Sequence, residues 1–121
     1  MQKIMNHTLT ASRLISDRQI EALSKQIAEK FSPEKIILFG SYAYGVGVPH
    51  DSSDVDLLIV MEFTGRKLDK RMEIWRQVQP TFATDLIIRS PSEMIWRYEQ
   101  FDPLVRNAVD FGKVLYERNN S

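Results

Sequence analysis

The residues from Val55 to Met61 form an apolar run that contains one acidic side chain, Asp56, and another acid, Asp54, comes just before it. A run that is apolar on both faces is typical of a central strand covered on both sides of a sheet. Side chains two apart on a strand project to the same side, roughly 7 Å apart, so Asp54 and Asp56 share one face. The opposite face belongs to Val55, Leu57 and Ile59.

An Asp-x-Asp sequence at the start of a strand often serves only to form the turn that precedes the strand. Asp56, however, lies inside the apolar run, where an unpaired buried charge is strongly unfavourable. Two acids side by side also repel each other unless a positive charge lies between them. A hard divalent cation such as Mg²⁺ favours oxygen ligands and leaves positions open for phosphate oxygens. The pattern therefore predicts that Asp54 and Asp56 bind metal.

A glycine-serine turn precedes this strand. Lys35 to Phe39 is a short apolar run that predicts a first strand, Gly40 follows as a turn, and Ser41 to Gly45 should form a short helix. Such a turn offers backbone N–H groups, a hydroxyl and a helix start, which together suit an anionic phosphate. We expect this phosphate cradle and the carboxylates to lie on adjacent strands.

Asp85 is the third unusual acid, because it interrupts the apolar run from Phe82 to Ile88, the predicted third strand. It has two interpretations. It may pair with an arginine, for which Arg89 and Arg71 are the candidates. Alternatively, it completes a two-metal site, in which two acids bridge both ions and a third helps to activate an attacking hydroxyl. Next to Asp54 and Asp56, the second interpretation is favoured.

The remaining elements are mostly helical. Ser16, with Gln19 three residues on, matches a capping box that opens a helix ending at Ser32-Pro33. A second helix should follow Gly65, and Ser90-Pro91 should start a third. The predicted inner face of the first helix is Ile20, Leu23, Ile27 and Phe31. That of the second helix is Leu68, Met72 and Trp75, with Val78 or Gln79 beyond. A further helix should start at Asp102-Pro103, and its predicted inner face is Leu104, Val105, Ala108 and Val109.

Gly112 should stop the last helix, and Val114 to Tyr116 predicts a closing strand. The order of elements indicates an α/β (α+β) fold, in which helices flank a small mixed sheet. The basic residues of the second helix are typical of a solvated face. Trp75 and Trp96 fit core or interface packing, and Tyr42 and Tyr44 are equally consistent with stacking on a base, a partner surface or ordinary exposed turn residues. His50 is interpreted as a loop residue, and His7 has no context.

Composition narrows the class of protein. A chain of 121 residues predicts one domain, with residues 1–15 as a flexible segment. Lysine plus arginine equals aspartate plus glutamate at 16 each, so no global basic field points to nucleic acid as the main partner. The absence of cysteine fits a cytoplasmic location. No apolar run approaches the ~20 residues of a membrane span, and no signal peptide is apparent.

Gly40-Ser41, Ala43, Gly45, the run Ser53 to Leu57 and Asp85 together resemble the motif of the DNA polymerase β nucleotidyltransferase superfamily. The size of the chain and the ending from Gly112 to Glu117 are similar to its minimal nucleotidyltransferase branch. The resemblance implies that Gly40, Ser41 and Ser53 bind the nucleotide. It also implies that Asp54 and Asp56 bind two Mg²⁺ ions and that Asp85 binds the ion nearer the acceptor.

The resemblance further implies a partner. Proteins of this kind are frequently antitoxins paired with an all-helical HEPN-family toxin, and they transfer AMP from ATP to a tyrosine of that toxin (a type VII-like system). Two features depart from the family pattern. The loop between Ser41 and Asp54 is slightly long at twelve residues, and Tyr42 and Tyr44 stand where arginine often occurs.

Two other functions remain open from the sequence. The chain may be a non-catalytic antitoxin that neutralises its partner by contact, using its tyrosines and the charged helix from Arg66 to Arg76. A third possibility is transfer of a nucleotide to a small molecule or to a nucleic-acid end. Metal-dependent ATP binding by the isolated chain distinguishes an enzyme from a pure binding module. A partner or a second protomer is expected to supply the wall of the site that a chain of this size lacks.

Overall fold

The computed structural model describes residues 14–43 and 54–119. In these ranges the chain forms four α-helices, a short 3₁₀ helix and four strands. In chain order they are α1 (Asp17–Phe31), β1 (Lys35–Phe39), the 3₁₀ helix (Gly40–Tyr42), β2 (Val55–Val60), α2 (Lys67–Val78), β3 (Thr84–Arg89), α3 (Pro91–Glu99), α4 (Pro103–Phe111) and β4 (Lys113–Glu117).

The four strands form one mixed sheet in the order β3-β2-β1-β4. β1 is antiparallel to both β2 and β4, whereas β2 and β3 are parallel. Helix α2 makes the crossover that the parallel pair requires. The predicted α/β class, the mixed sheet and the interior position of the Asp56 strand are therefore confirmed.

The alternation of side chains along the strands divides the core between the two faces of the sheet. One face carries Val55, Leu57 and Ile59 of β2, which pack with Ile20 of α1 and Ile74 of α2. On the other face Leu58 and Val60 pack with Ile37 and with Ala108 of α4, and Met94 of α3 lies against them. Helices α1 and α2 thus cover one face, and α3 and α4 cover the face to which Asp56 belongs.

Local capping chemistry starts three helices where the sequence predicts. Ser16 and Gln19 form a reciprocal capping box, with the Gln19 N–H donating to the Ser16 hydroxyl and the Ser16 N–H donating to the Gln19 side chain. The Ser90 hydroxyl accepts from the Glu93 N–H, and Asp102 accepts from the first N–H groups of α4. These bonds satisfy helix donors that have no partner within the helix.

The predicted inner face of α2 is wrong except at Val78, which is buried. Ile74 and Val78 are the buried apolar residues of this helix, whereas Leu68, Met72 and Trp75 are exposed. Both sets recur at helical spacing, so periodicity alone does not choose between them. The choice is tertiary: Lys67, two turns before Ile74 on the same side of the helix, pairs with Glu93 of α3. That contact and the packing of Ile74 fix the rotation of α2.

Three smaller predictions also need correction. Strand β3 begins at Thr84 instead of Phe82. In α4 only Val105 and Ala108 are buried, and Val109 is exposed. Trp96 is exposed, so it does not pack in the core of this chain. Val105 and Ala108, three residues apart, lie on the side of α4 that packs against the sheet, and Val109 lies beside that side.

Gly112 ends α4 where the helix turns directly into β4. A Cβ at this position would stand 2.4 Å from the Ala108 carbonyl oxygen and 2.6 Å from Ile37 Cγ2. The glycine therefore allows the helix end to approach β1 closely. Within the described ranges, no helix is both long and apolar enough to cross a membrane.

Candidate active site

The sheet brings two of the predicted acids together at one of its ends. Asp56 is the second residue of β2; it is paired with Phe39 at the end of β1 and with Asp85 in the parallel register of β3. Neighbouring strands lie about 4.8 Å apart, and residues in register project to the same side. Asp56 and Asp85 are therefore adjacent on one face, and Asp54 lies just before β2 at the same end.

Electrostatics show that these acids act on one another. The pKa of Asp56 is raised from 3.8 to about 6, first by burial and then by the negative charges of Asp85 and Asp54. Every one of these causes opposes ionisation of Asp56. Asp56 therefore lies beside two other acids, and in the described residues no cation pairs with it, an arrangement typical of a site that receives cations.

Gly40 explains why the turn after β1 fits beside this cluster. Its φ is +79°, a left-handed backbone conformation that residues with a side chain rarely adopt. A Cβ at this position would stand 2.1 Å from Asp56 Oδ2. The backbone of the turn therefore lies directly against the carboxylate. The predicted phosphate cradle is therefore in contact with one predicted metal ligand, Asp56, on the adjacent strand. Ser41 follows within the 3₁₀ helix, whose Ala43 N–H closes on the Gly40 carbonyl at 3.0 Å.

Asp85 also contacts a cation. Arg71 of α2 reaches round the edge of β3, and its Nη2 lies 3.5 Å from Asp85 Oδ1. Arg89, the other predicted partner, lies at the opposite end of β3, where its Nε is 3.9 Å from Glu93. The Arg71 contact is long and both side chains are about half exposed, so the pair is weak. Asp85 is thus available for a second role.

The donor set suits a hard cation, because carboxylate oxygens are the ligands that Mg²⁺ prefers. Over residues 14–43 and 54–119, however, no three acidic, histidine or cysteine side chains stand close enough to hold a metal ion. The assignment of Asp54, Asp56 and Asp85 as metal ligands and catalytic groups stays a prediction, which the nearness of both Asp54 and Asp85 to Asp56 supports.

Tyr42 has a structural role. Its hydroxyl accepts a hydrogen bond from the Ile15 N–H at 3.2 Å, and its ring packs against the core beneath α1. This contact anchors the start of α1 to the turn. The other predicted residues of the turn and loop lie outside the described residues: Ser53, Tyr44, Gly45 and His50, together with His7 near the start of the chain.

Sequence reasoning missed the contact between Gly40 and Asp56. The sequence predicts a phosphate cradle at the glycine-serine turn, but the approach of this turn to one particular carboxylate depends on the antiparallel register of β1 and β2. The Arg71–Asp85 contact was only one of two alternatives, and no local signal selects it. Both contacts arise from tertiary structure.

The family model "Polymerase beta, Nucleotidyltransferase" matches residues 21–121. A Methanocaldococcus jannaschii protein, MJ1305, provisionally assigned as a protein adenylyltransferase, is 27% identical over an alignment of 109 residues that covers 84% of this chain and 71% of that protein.

Two crystal structures have a similar fold. A provisionally assigned nucleotidyltransferase from Sulfolobus solfataricus gives a TM-score of 0.60 at 19% identity, covering 86% of this chain and 82% of the other. A mutant of the toxin–antitoxin complex MntA–HpeT contains a chain with a TM-score of 0.56 at 20% identity, covering 87% and 76%.

Proposed function

Because the chain belongs to the polymerase β nucleotidyltransferase family, we propose that it transfers AMP from ATP to a hydroxyl group of a partner protein. The observation that carries the proposal is the cluster of Asp54, Asp56 and Asp85, with the pKa of Asp56 raised to about 6 and the Gly40 backbone against it. The relative assigned as a protein adenylyltransferase supports the nature of the acceptor. The similar fold in a toxin–antitoxin complex supports a toxin as the partner.

In this proposal the acceptor is a tyrosine of a helical HEPN-family toxin, and the chain acts as its antitoxin. Gly40, Ser41 and Ser53 hold the triphosphate. Asp54 and Asp56 would hold two Mg²⁺ ions, and Asp85 would hold the one nearer the acceptor. Bound Mg²⁺ supplies positive charge that offsets the phosphate oxygens and lowers the pKa of a coordinated hydroxyl.

The transfer step forms one bond to phosphorus and breaks another. The acceptor hydroxyl oxygen forms a bond to the α-phosphorus of ATP, and the bond from that phosphorus to the oxygen bridging to the β-phosphate breaks. Pyrophosphate leaves with the electron pair of the broken bond. The hydroxyl proton passes to the carboxylate of Asp85, which lies at the open edge of the site next to Arg71. AMP remains esterified to the acceptor.

The test follows label from α-labelled ATP in the presence of Mg²⁺, with the proteins encoded on either side of this chain as acceptors. We expect one of them to be labelled, and we expect the double variant Asp54→Asn/Asp56→Asn to abolish labelling. Asp69→Asn is the matched control, because it removes an exposed acid whose ion pair, in the described part of the chain, is with Arg66 just before α2. If the control also lost labelling, the loss in the Asp54→Asn/Asp56→Asn variant would not be specific to the site.

A second candidate, a binding module that neutralises its partner by contact, is favoured by the apolar side chains exposed on the helices, such as Leu68, Trp96 and Phe111. It predicts no labelled acceptor and neutralisation that survives in the Asp54→Asn/Asp56→Asn variant. Metal-dependent ATP binding by the isolated chain would count against it, since contact alone requires no nucleotide.

A further inference from the structure

We propose that helix α2 is the docking surface for the acceptor protein and that it receives an acidic amphipathic helix. The surface is a stripe formed by Leu68, Met72 and Trp75 with Arg71 and Arg76 on its two sides. This inference rests on the proposed transfer to a protein, and it adds the place and the chemistry of recognition.

The stripe is apolar and lies in solvent. The exposed fractions of Leu68, Met72 and Trp75 are 56%, 44% and 36%, although the three residues recur at the spacing of one helix face. The buried face of the same helix is formed by Ile74 and Val78. A single exposed apolar residue is ordinary, but a contiguous row that includes tryptophan is typical of an interaction surface.

The free charge around the stripe is positive. Arg76 is exposed and has no ion-pair partner in the described part of the chain, and Arg71 has only its long contact with Asp85. The other charged side chains in and beside this helix are already paired: Arg66 with Asp69, Lys70 with Glu73, and Lys67 with Glu93. A partner that places acids beside its own apolar residues therefore complements this surface.

The stripe is also next to the predicted acceptor side of the site. Arg71 adjoins the stripe on α2 and reaches Asp85 on β3, an edge strand of the described sheet. A helix lying on Leu68, Met72 and Trp75 would thus have one flank at Asp85. Tryptophan, methionine and arginine are the residue types enriched at interface centres, and truncation of Trp and Arg most often weakens binding.

The main competing surface is a groove of about 490 Å³ between α3, α4 and the sheet, whose lining includes Met94, Ile95 and Val109. It lies at the Val60 end of β2, roughly 13 Å along the strand from Asp56 at 3.3 Å per residue. A partner seated there would face the end of the sheet away from the acids. The groove therefore provides the control region for the test.

The test measures peptide binding to a Trp96→Phe chain, in which Trp75 is the sole tryptophan. The probe is a synthetic helix with leucines on one face and glutamates on both flanks, and its partner probe has lysines in place of the glutamates. We expect the acidic peptide to shift Trp75 emission to shorter wavelength and to bind about tenfold or more tightly than the lysine peptide. Leu68→Glu/Met72→Glu should weaken binding of the acidic peptide by about tenfold or more. Ile95→Glu, on an equally exposed residue in the groove, should leave it unchanged.

Three results would overturn the proposal. The two peptides may bind equally; binding may be insensitive to Leu68→Glu/Met72→Glu and lost with Ile95→Glu; or sedimentation may show that the stripe holds a second copy of the chain, with a dimer that these substitutions dissociate. The peptides lack a hydroxyl acceptor and no ATP is present, so the outcome is independent of transfer. A failed labelling experiment and a failed docking experiment are thereby distinguished.

Discussion

Asp56 and Glu93 lie at opposite ends of the sheet and have opposite surroundings. Asp56 faces two other acids, and burial together with the charges of Asp85 and Asp54 raises its pKa to about 6. Burial also acts to raise the pKa of Glu93, but hydrogen bonds from Lys67 and Arg97 outweigh it, so that this pKa is lowered. The same chemical group is thus destabilised as an anion in one place and stabilised in the other.

The difference distinguishes a carboxylate that stabilises the fold, Glu93, from one that is predicted to bind a ligand, Asp56. Glu93 joins Lys67 of α2 to Arg97 of α3, and Arg97 continues to Asp102 at the start of α4 at 2.9 Å. Its charge is satisfied within the chain and holds three helices together. In the described residues no cation pairs with Asp56, and this lack of compensation favours the prediction that Asp56 binds a ligand.

The largest expected effect is on transfer. Asp56→Asn should lower AMP transfer by at least about 100-fold, on the scale of losing one principal electrostatic contact in a transition state. The same substitution should raise the melting temperature in the absence of divalent ions, because it removes the repulsion from Asp54 and Asp85. Labelling and thermal unfolding measure the two effects. If Asp56→Asn lost both activity and stability, the contrast drawn between Asp56 and Glu93 would be wrong.

The next effect concerns the approach of the turn to Asp56. Gly40→Ala should destabilise the fold by about 2–3 kcal/mol, combining the strain of a left-handed residue with displacement of the Asp56 carboxylate. Gly65→Ala is the matched control: Gly65 has a φ of +84°, and a Cβ there would meet nothing within 4 Å. We expect the control to cost only about 1 kcal/mol. Equal losses in urea unfolding would show that the Asp56 contact is unimportant.

Glu93→Gln should lower the free energy of unfolding by about 2 kcal/mol, because it leaves Lys67 and Arg97 without their shared anion. Transfer measured well below the unfolding temperature should remain close to that of the unsubstituted chain. Asp69→Asn, which breaks an exposed pair, should cost no more than about 0.5–1 kcal/mol. A large loss of transfer with unchanged stability would show that Glu93 acts in transfer and does not stabilise the fold.

The smallest effect is the dependence of stability on pH, and its sign differs between the two acids. Because the pKa of Asp56 is higher in the folded chain, native stability should fall as pH rises from about 4 to about 6, where Asp56 becomes ionised. Because the pKa of Glu93 is lowered from 4.5 on folding, its contribution is present above that pH and is lost as the solution becomes more acidic.

Melting temperatures against pH, without divalent ions, check both signs. The advantage of Asp56→Asn over the unsubstituted chain should be absent below about pH 4 and should develop towards pH 6. The deficit of Glu93→Gln should be largest above pH 5 and should shrink as pH falls. Parallel curves for the two variants would mean that the local charges do not control stability.

The parts of the fold that the sequence predicts are those decided locally. Ser16, Ser90 and Asp102 start helices because the capping partners lie within three residues of them. The two-sided burial of β2 is evident because apolar residues occupy both of its faces. The rotation of α2 was not predictable, since Ile74 with Val78 and Leu68 with Met72 have the same spacing and only tertiary contacts distinguish them.

The candidate site divides in the same way. Asp56 is conspicuous in the sequence because a charged residue interrupts a buried run, and Asp85 is conspicuous for the same reason. Their proximity was a hypothesis, which the parallel register of β2 and β3 now supports. The approach of Gly40 to Asp56 and the contact of Arg71 with Asp85 join residues far apart in the chain, so no local pattern reveals them.

The register of β2 and β3 has a consequence for redesign of the protein. The separation of Asp56 and Asp85 is set by main-chain hydrogen bonds between two strands, whereas the proposed recognition stripe is carried by the connection between them. The outward residues of α2 are therefore free to vary while the spacing of the acids is conserved. Grafting the exposed residues of α2 from one relative onto another, with Arg71 and the buried Ile74 and Val78 retained, should redirect the choice of acceptor without rebuilding the chemistry.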